Sequence, residues 1–129
     1  MTWTPLDPDV SAFLDAYDTG DAPALFADPF LALDPARAVA VTPAQLTAAL
    51  PARRTMFDRA GVGALSRTDA RQQRLDDHYL LVNADWSAPR AGTDPLHLTS
   101  TLLLRRENGG FQILVYLNHT DLTTALSAG

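Results

Sequence analysis

Cysteine and lysine are both absent from this sequence of 129 residues. The first absence removes disulfides, thiol nucleophiles and thiolate metal sites, and the second removes Schiff-base chemistry. All ten cationic residues are therefore arginines, set against fifteen acids for a net charge of −5, and they form no basic run. Such a chain offers no electrostatic footprint for nucleic acid or for an anionic membrane surface. No apolar run approaches the roughly 20 residues of a membrane span. The stretch "MTWTPLDPDVSAFLDAYDTGD" carries acids where a signal peptide has a basic start, so a cytoplasmic location is expected. A glycine-rich phosphate loop, a nucleophile elbow and a Ser-His-Asp order are also missing, which leaves nucleotide and acyl-transfer chemistry without support.

The residues that are present fall into helices first and strands afterwards. Asp7 and Pro8 form an N-cap followed by proline at the first helical position. Val10, Phe13, Leu14 and Tyr17 then fall at i, i+3, i+4 and i+7 before Gly20 ends the run. "DAPALFA" repeats the signal for a shorter turn, and "DPFLALDP", fenced by two Asp-Pro steps, reads as a first strand. Thr42 and Pro43 open a second helix to about Ala60, with Leu46, Leu50, Phe57 and Ala60 on one face and Gly61 as its stop. Pro51 is expected to kink this helix or break it in two. From Val62 the period changes to two. A polar segment runs to about Leu75, strands follow near 78–87 and 95–106, "ENGG" makes a turn, and a last strand starts at Phe111. Helices followed by an antiparallel meander predict one α+β domain over residues 1–129.

Alternation along the last strands assigns two faces. Leu80, Val82, Ala84, Trp86, Leu98, Ser100, Leu102, Leu104, Phe111, Ile113, Val115, Leu117 and, by continuation, His119 fall on the side toward the helices. Tyr79, Leu81, Asn83, Asp85, His97, Thr99, Thr101, Leu103, Gln112, Leu114, Tyr116 and Asn118 fall on the other, a surface too apolar for free solvent and too polar for a sealed core. That second face predicts a homodimer joined through the sheet. The same alternation sets His97 apart from His78 and His119, so no metal site is expected.

"FLDAYDTGD…ALFADPFLALDP", a long helix and four strands ending in "GGFQILVYLNH" together resemble the nuclear transport factor 2-like superfamily, which includes ketosteroid isomerase and the SnoaL-like polyketide cyclases. The resemblance spans nearly the whole chain. It implies a cone-shaped α+β fold in which N-terminal helices pack on a curved, mostly antiparallel sheet around an apolar pocket. It also implies a dimer through the outer sheet face, and no cofactor. The isomerase's general base falls on Asp34. Its oxyanion donors fall on Phe13 and, within a residue, Leu102, neither of which can donate a hydrogen bond. Tyr17, one helical turn beyond Phe13, and Ser100 are the nearest substitutes, so steroid isomerisation in the isomerase's manner is not expected.

Candidate site residues follow from both readings. Asp34 and His119 are the candidate catalytic groups, one a carboxylate near a dry cavity and the other an imidazole titrating near neutral pH. Asp34 before proline equally suits a turn, and His119 equally suits a strand end in solvent. Phe13, Tyr17, Arg53, Phe57, Trp86, Ser100, Leu102, Val115 and Leu117 are the candidate ligand-binding residues. Among them, Arg53 lies on the apolar line of the long helix, where a guanidinium can clamp a carboxylate or enolate or can snorkel to the edge. Two functions stay open: proton transfer on a small apolar carbonyl compound, and a non-catalytic dimeric ligand-binding or assembly module.

Overall fold

The computed structural model describes residues 2–19 and 22–127. Helix α1 (Pro8–Asp18) and a 3-10 turn (Ala22–Leu25) lead into strands β1 (Phe26–Leu33) and β2 (Ala38–Val41). Helix α2 (Pro43–Arg59) follows, then β3 (Ser66–Arg74), β4 (Tyr79–Ala88), β5 (Leu96–Glu107), β6 (Gly110–Asn118) and a short α3 (Leu122–Ser127). The strands form one sheet in the order β2-β1-β6-β5-β4-β3. Only β1 and β6 run parallel among these pairs. The class is α+β, as the order of elements predicts. No described helix is long and apolar enough to cross a membrane.

Local chemistry accounts for the helices. Asp7 occupies the N-cap position of α1, but its carboxylate does not cap. It accepts instead from the Gln72 side-chain amide at 3.0 Å, and the Gln72 carbonyl oxygen accepts from the Asp7 N–H at 2.9 Å. Thr4 pairs with Gln72 through two backbone hydrogen bonds of 2.8 Å, which covers the exposed edge of β3. Helix α2 opens with a full capping box, Thr42 and Gln45 each accepting the other's backbone N–H. Pro51 removes one intrahelical donor, yet the helix runs unbroken through it, contrary to the expected division. Its ring points to solvent, where it displaces no packing partner.

Two elements escape the sequence reading. β2 is a four-residue strand of alanine and valine that returns from β1, pairing Phe30 with Val41 and Leu33 with Ala38. It is too short to display a period. The turn before it is built by Asp34, whose Oδ1 accepts from the N–H of Ala36 at 2.7 Å and of Arg37 at 3.0 Å. Helix α3 places Leu126 in a second small core with Val62, Ala88, Leu96 and Leu98. Arg90 holds α3 by donating to the carbonyls of Ala125 and Leu126.

The main core lies between α1 and the middle of the sheet, where Val10, Leu14, Val82, Leu102, Leu104 and Ile113 are sealed from solvent. Strand alternation predicts this face correctly through β4, β5 and the first half of β6. There the register shifts: Leu104 pairs with Ile113, but Leu103 pairs with Val115, which leaves Leu114 as an extra residue. A bulge of one residue reverses every later assignment. Beyond it Tyr116 and Asn118 stand on the helix side, paired with Leu102 and Ser100, while Val115 and Leu117 pair with Leu103 and Thr101 on the outer side. The expectation that Val115, Leu117 and His119 face the helices is thereby corrected, as is the assignment of Tyr116 and Asn118 to the outer, dimer-forming face.

Candidate functional site

Helix α2 presents its apolar stripe to the sheet without sealing any residue. Arg53 interrupts the stripe between Leu50 and Phe57, and a guanidinium cannot be pressed flat against an apolar sheet without a heavy desolvation cost. The helix therefore roofs a hollow. Two adjoining cavities of about 550 Å³ and 320 Å³ lie beneath it and share Tyr17, Leu50, Arg53 and Tyr116 as walls. Both volumes lie within the roughly 300–1,000 Å³ of small-molecule sites.

The larger lobe is bounded by Phe57, Trp86, Leu98 and Ser100, with Asp18 at its edge. Asp18 ends α1 and accepts from the Trp86 indole N–H at 3.2 Å, and Arg67 on β3 pairs with it at 3.2 Å and with Asp15 at 2.9 Å. These contacts fix the Trp86 ring as a wall, 6.2 Å from the Tyr17 ring and tilted by 50°. The smaller lobe is more apolar, running between Phe26, Phe30, Ala32 and Leu46 to Asp34 and Asn118. Where the lobes meet, three hydroxyls gather: Ser100 Oγ donates to the Tyr116 phenol oxygen at 3.2 Å, and Tyr116 in turn neighbours Tyr17. Burial drives the Tyr17 phenol well above its ordinary pKa, with the nearby Tyr116 adding to the rise and the Arg53 charge opposing it. Tyr17 is thus a neutral hydrogen-bond donor throughout the physiological range.

The candidate residues divide between the two sides of the sheet. Tyr17, Arg53, Phe57, Trp86 and Ser100 all border the cavities, and Asp34 borders the smaller lobe. Asp34 does so from the turn before β2, with one carboxylate oxygen engaged by two backbone N–H groups. Leu102 is sealed in the core beneath α1, and the Phe13 ring packs edge-on to Phe111 at 5.6 Å, away from the hollow. Val115 and Leu117 lie on the outer face. His119 is exposed there, its Nε2 2.7 Å from the Thr101 hydroxyl, which also accepts from the Asn83 side chain at 3.1 Å. Its imidazole therefore does not reach the hollow, and no general base stands where the strand pattern put one. Among the described residues no group of histidines and acids is placed to hold a metal ion.

Leu50 and Asp18 are cavity residues absent from the candidates, and Tyr116 and Asn118, which strand alternation assigns to the outer face, line the hollow instead. The polar side chains of Tyr116 and Asn118, two residues apart in an otherwise aliphatic strand, were the available signal. The bulge that turns them inward lies inside "ILVYL", a run with no break to mark it.

No family model and no curated protein matches the chain. Solved structures do. A nuclear transport factor 2-like protein of unknown function from Shewanella oneidensis is 15% identical, with 87% of this chain and 97% of that one covered and a TM-score of 0.63. One from Novosphingobium aromaticivorans, with a cystatin-like fold, is 15% identical, covering 92% and 86% at a TM-score of 0.66. The chain has the nuclear transport factor 2-like fold. A proposed polyketide cyclase from Xanthomonas campestris shares it as well, at 15% identity, 92% and 91% coverage and a TM-score of 0.56. At such identities the likeness is one of fold, and in a nuclear transport factor 2-like fold the site must speak for the chemistry.

Proposed function

We propose that this domain, of the SnoaL-like kind, is a cytoplasmic binder of a small, flat, largely apolar carbonyl compound held under α2. One observation carries the reading: the hydroxyls of Tyr17, Tyr116 and Ser100 converge beside aromatic walls at the junction of the two lobes, Ser100 donating to the Tyr116 oxygen and leaving the Tyr116 O–H to donate onward. A carbonyl oxygen directed at that junction replaces water hydrogen bonds with phenol donors in a low-dielectric pocket, while the rings cover its skeleton. The test is calorimetric titration with aromatic ketones against wild type and Tyr17→Phe/Tyr116→Phe. Affinity should fall roughly tenfold in the double variant. Equal binding by both proteins would remove the hydroxyls from the site.

A second reading, proton transfer, has Asp34 in its favour, because this carboxylate borders the lobe that Tyr17 and Tyr116 also border. A carboxylate base and a phenol donor on one cavity suit enolisation of a carbonyl compound. Exchange of the ligand's α-protons in deuterated water, followed by NMR, decides it: exchange that Asp34→Asn abolishes makes the domain an enzyme, and none makes it a binding module.

We also infer that the outer sheet face pairs with a second copy of the chain. Leu31, Val115, Leu103 and Leu81 are cross-strand neighbours over four consecutive strands, making one aliphatic row that is incompletely buried. At its end Leu31 is 46% exposed. A symmetric pairing covers such a row with itself. Sedimentation should show a dimer that Leu103→Arg splits; a wild-type monomer at micromolar concentration removes the inference.

A further inference from the structure

Arg53 separates itself from the other partly buried arginines. Arg67, Arg71, Arg105 and Arg106 each reach a carboxylate, at 2.9, 2.7, 2.7 and 2.6 Å respectively. Arg90 satisfies two helix carbonyls. Arg53 forms no ion pair and no side-chain hydrogen bond among the described residues. Its guanidinium lies over the Phe57 ring at 5.4 Å and borders both lobes of the hollow. A half-desolvated guanidinium with unpaired donors is costly unless something supplies oxygen acceptors. Two acids border the larger lobe: Asp18 is already committed to Arg67 and to the Trp86 indole, and Asp58 is exposed and forms no ion pair with Arg53. Beside Arg53 the hollow carries the hydroxyls of Tyr17, Tyr116 and Ser100, and the acid of the smaller lobe, Asp34, is engaged by the turn before β2 and forms no ion pair with Arg53.

We infer that the ligand is an acid: a flat aromatic or polyenolic molecule whose anionic oxygen group, a carboxylate or acidic enol, is clamped by the Arg53 guanidinium. This rests on the reading of the hollow as a small-molecule site and adds the charge of what enters it. The planar fork of arginine matches a carboxylate with two parallel hydrogen bonds, and the excluded water strengthens the pairing. Trp86 and Phe57, both walls of the larger lobe, supply apolar surface for an aromatic skeleton, and the Tyr116 phenol donates to a remaining oxygen lone pair.

Isothermal titration calorimetry at neutral pH with naphthoate and with its neutral amide, naphthamide, tests the inference. The two probes share one shape and differ in charge. Wild type should bind the acid roughly tenfold or more tighter than the amide. Arg53→Gln should bring the two to near parity, mainly by weakening the acid, and Arg53→Lys should keep part of the preference because the charge remains. Equal binding of both probes by wild type, or a preference that survives in Arg53→Gln, overturns the charged ligand while leaving the cavity reading in place. Failure of both probes to bind overturns the two together. If Arg53→Gln does not fold, the acid-to-amide ratio in wild type and in Arg53→Lys decides the matter.

Discussion

Helices α1 and α2 lie against one face of the same sheet and treat it differently. The shorter, α1, seals Val10 and Leu14 against the sheet centre. The longer, α2, seals nothing, and its inward residues Leu46, Leu50, Arg53 and Phe57 stay half-buried over a hollow. Size of apolar surface does not explain the contrast, since α2 carries leucines and a phenylalanine on its inner stripe. One charge does. With Arg53 in the middle of that stripe, flush packing would strand a guanidinium in a dry core, so the helix stands off and the sheet beneath it keeps its hydroxyls and aromatics available. The sealed core lies under α1, and the hollow under α2.

Substitutions can break this division if it is wrong. Leu14→Ala should cost about 2–5 kcal/mol, because a sealed side chain leaves a void that close packing cannot fill. Leu50→Ala, facing space that already exists, should cost roughly 1 kcal/mol. Urea unfolding compares them, and equal losses would mean the α2 side is packed after all. The reverse substitution sharpens the point. Val82→Phe under α1 should destabilise by roughly 1–3 kcal/mol through overpacking, while Leu50→Phe should be tolerated within about 1 kcal/mol and should exclude ligand.

Titration gives a third, smaller difference. Because folding raises the Tyr17 pKa above 10.0, the stability tied to its neutral phenol is complete below that ordinary value and is lost as pH climbs through the raised one. Near-ultraviolet titration should show a phenol ionising after the others, and Tyr17→Phe should remove that late step. The smallest effect belongs to the residue that the sequence made most prominent. His119→Phe, on the outer face, should leave ligand affinity unchanged and stability within about 0.5 kcal/mol. A pH-dependent affinity lost in this variant would return His119 to the site.

Much of the fold was legible in the residues. The Asp-Pro and Thr-Pro starts, the 3.6 period from Val10 to Tyr17 and the two-residue period in β4 and β5 set α1, α2 and the sheet face that meets them. "ENGG" set the hairpin, where Asn108 and Gly109 both take positive φ, as a tight β-turn of this hand requires. β2 and α3 were not legible, because four and six residues are too few to show a period against their surroundings. The site was legible in part: Tyr17, Arg53, Phe57, Trp86 and Ser100 precede the bulge in the sheet or lie on helices, where alternation and the helical period hold. Val115, Leu117 and His119 follow the bulge and went to the wrong face together.

The sequence by itself determined the elements, their order and the apolar face of the sheet, because periods, caps and turns act between residues a few positions apart. Only the tertiary structure decided which end of β6 looks inward. Facing parity after a bulge depends on how β6 pairs with β5, a contact between distant parts of the chain that no local pattern encodes. The same holds for the hollow. It exists because Arg53 on α2 stands opposite an uncharged sheet, and that opposition is a property of the packed molecule.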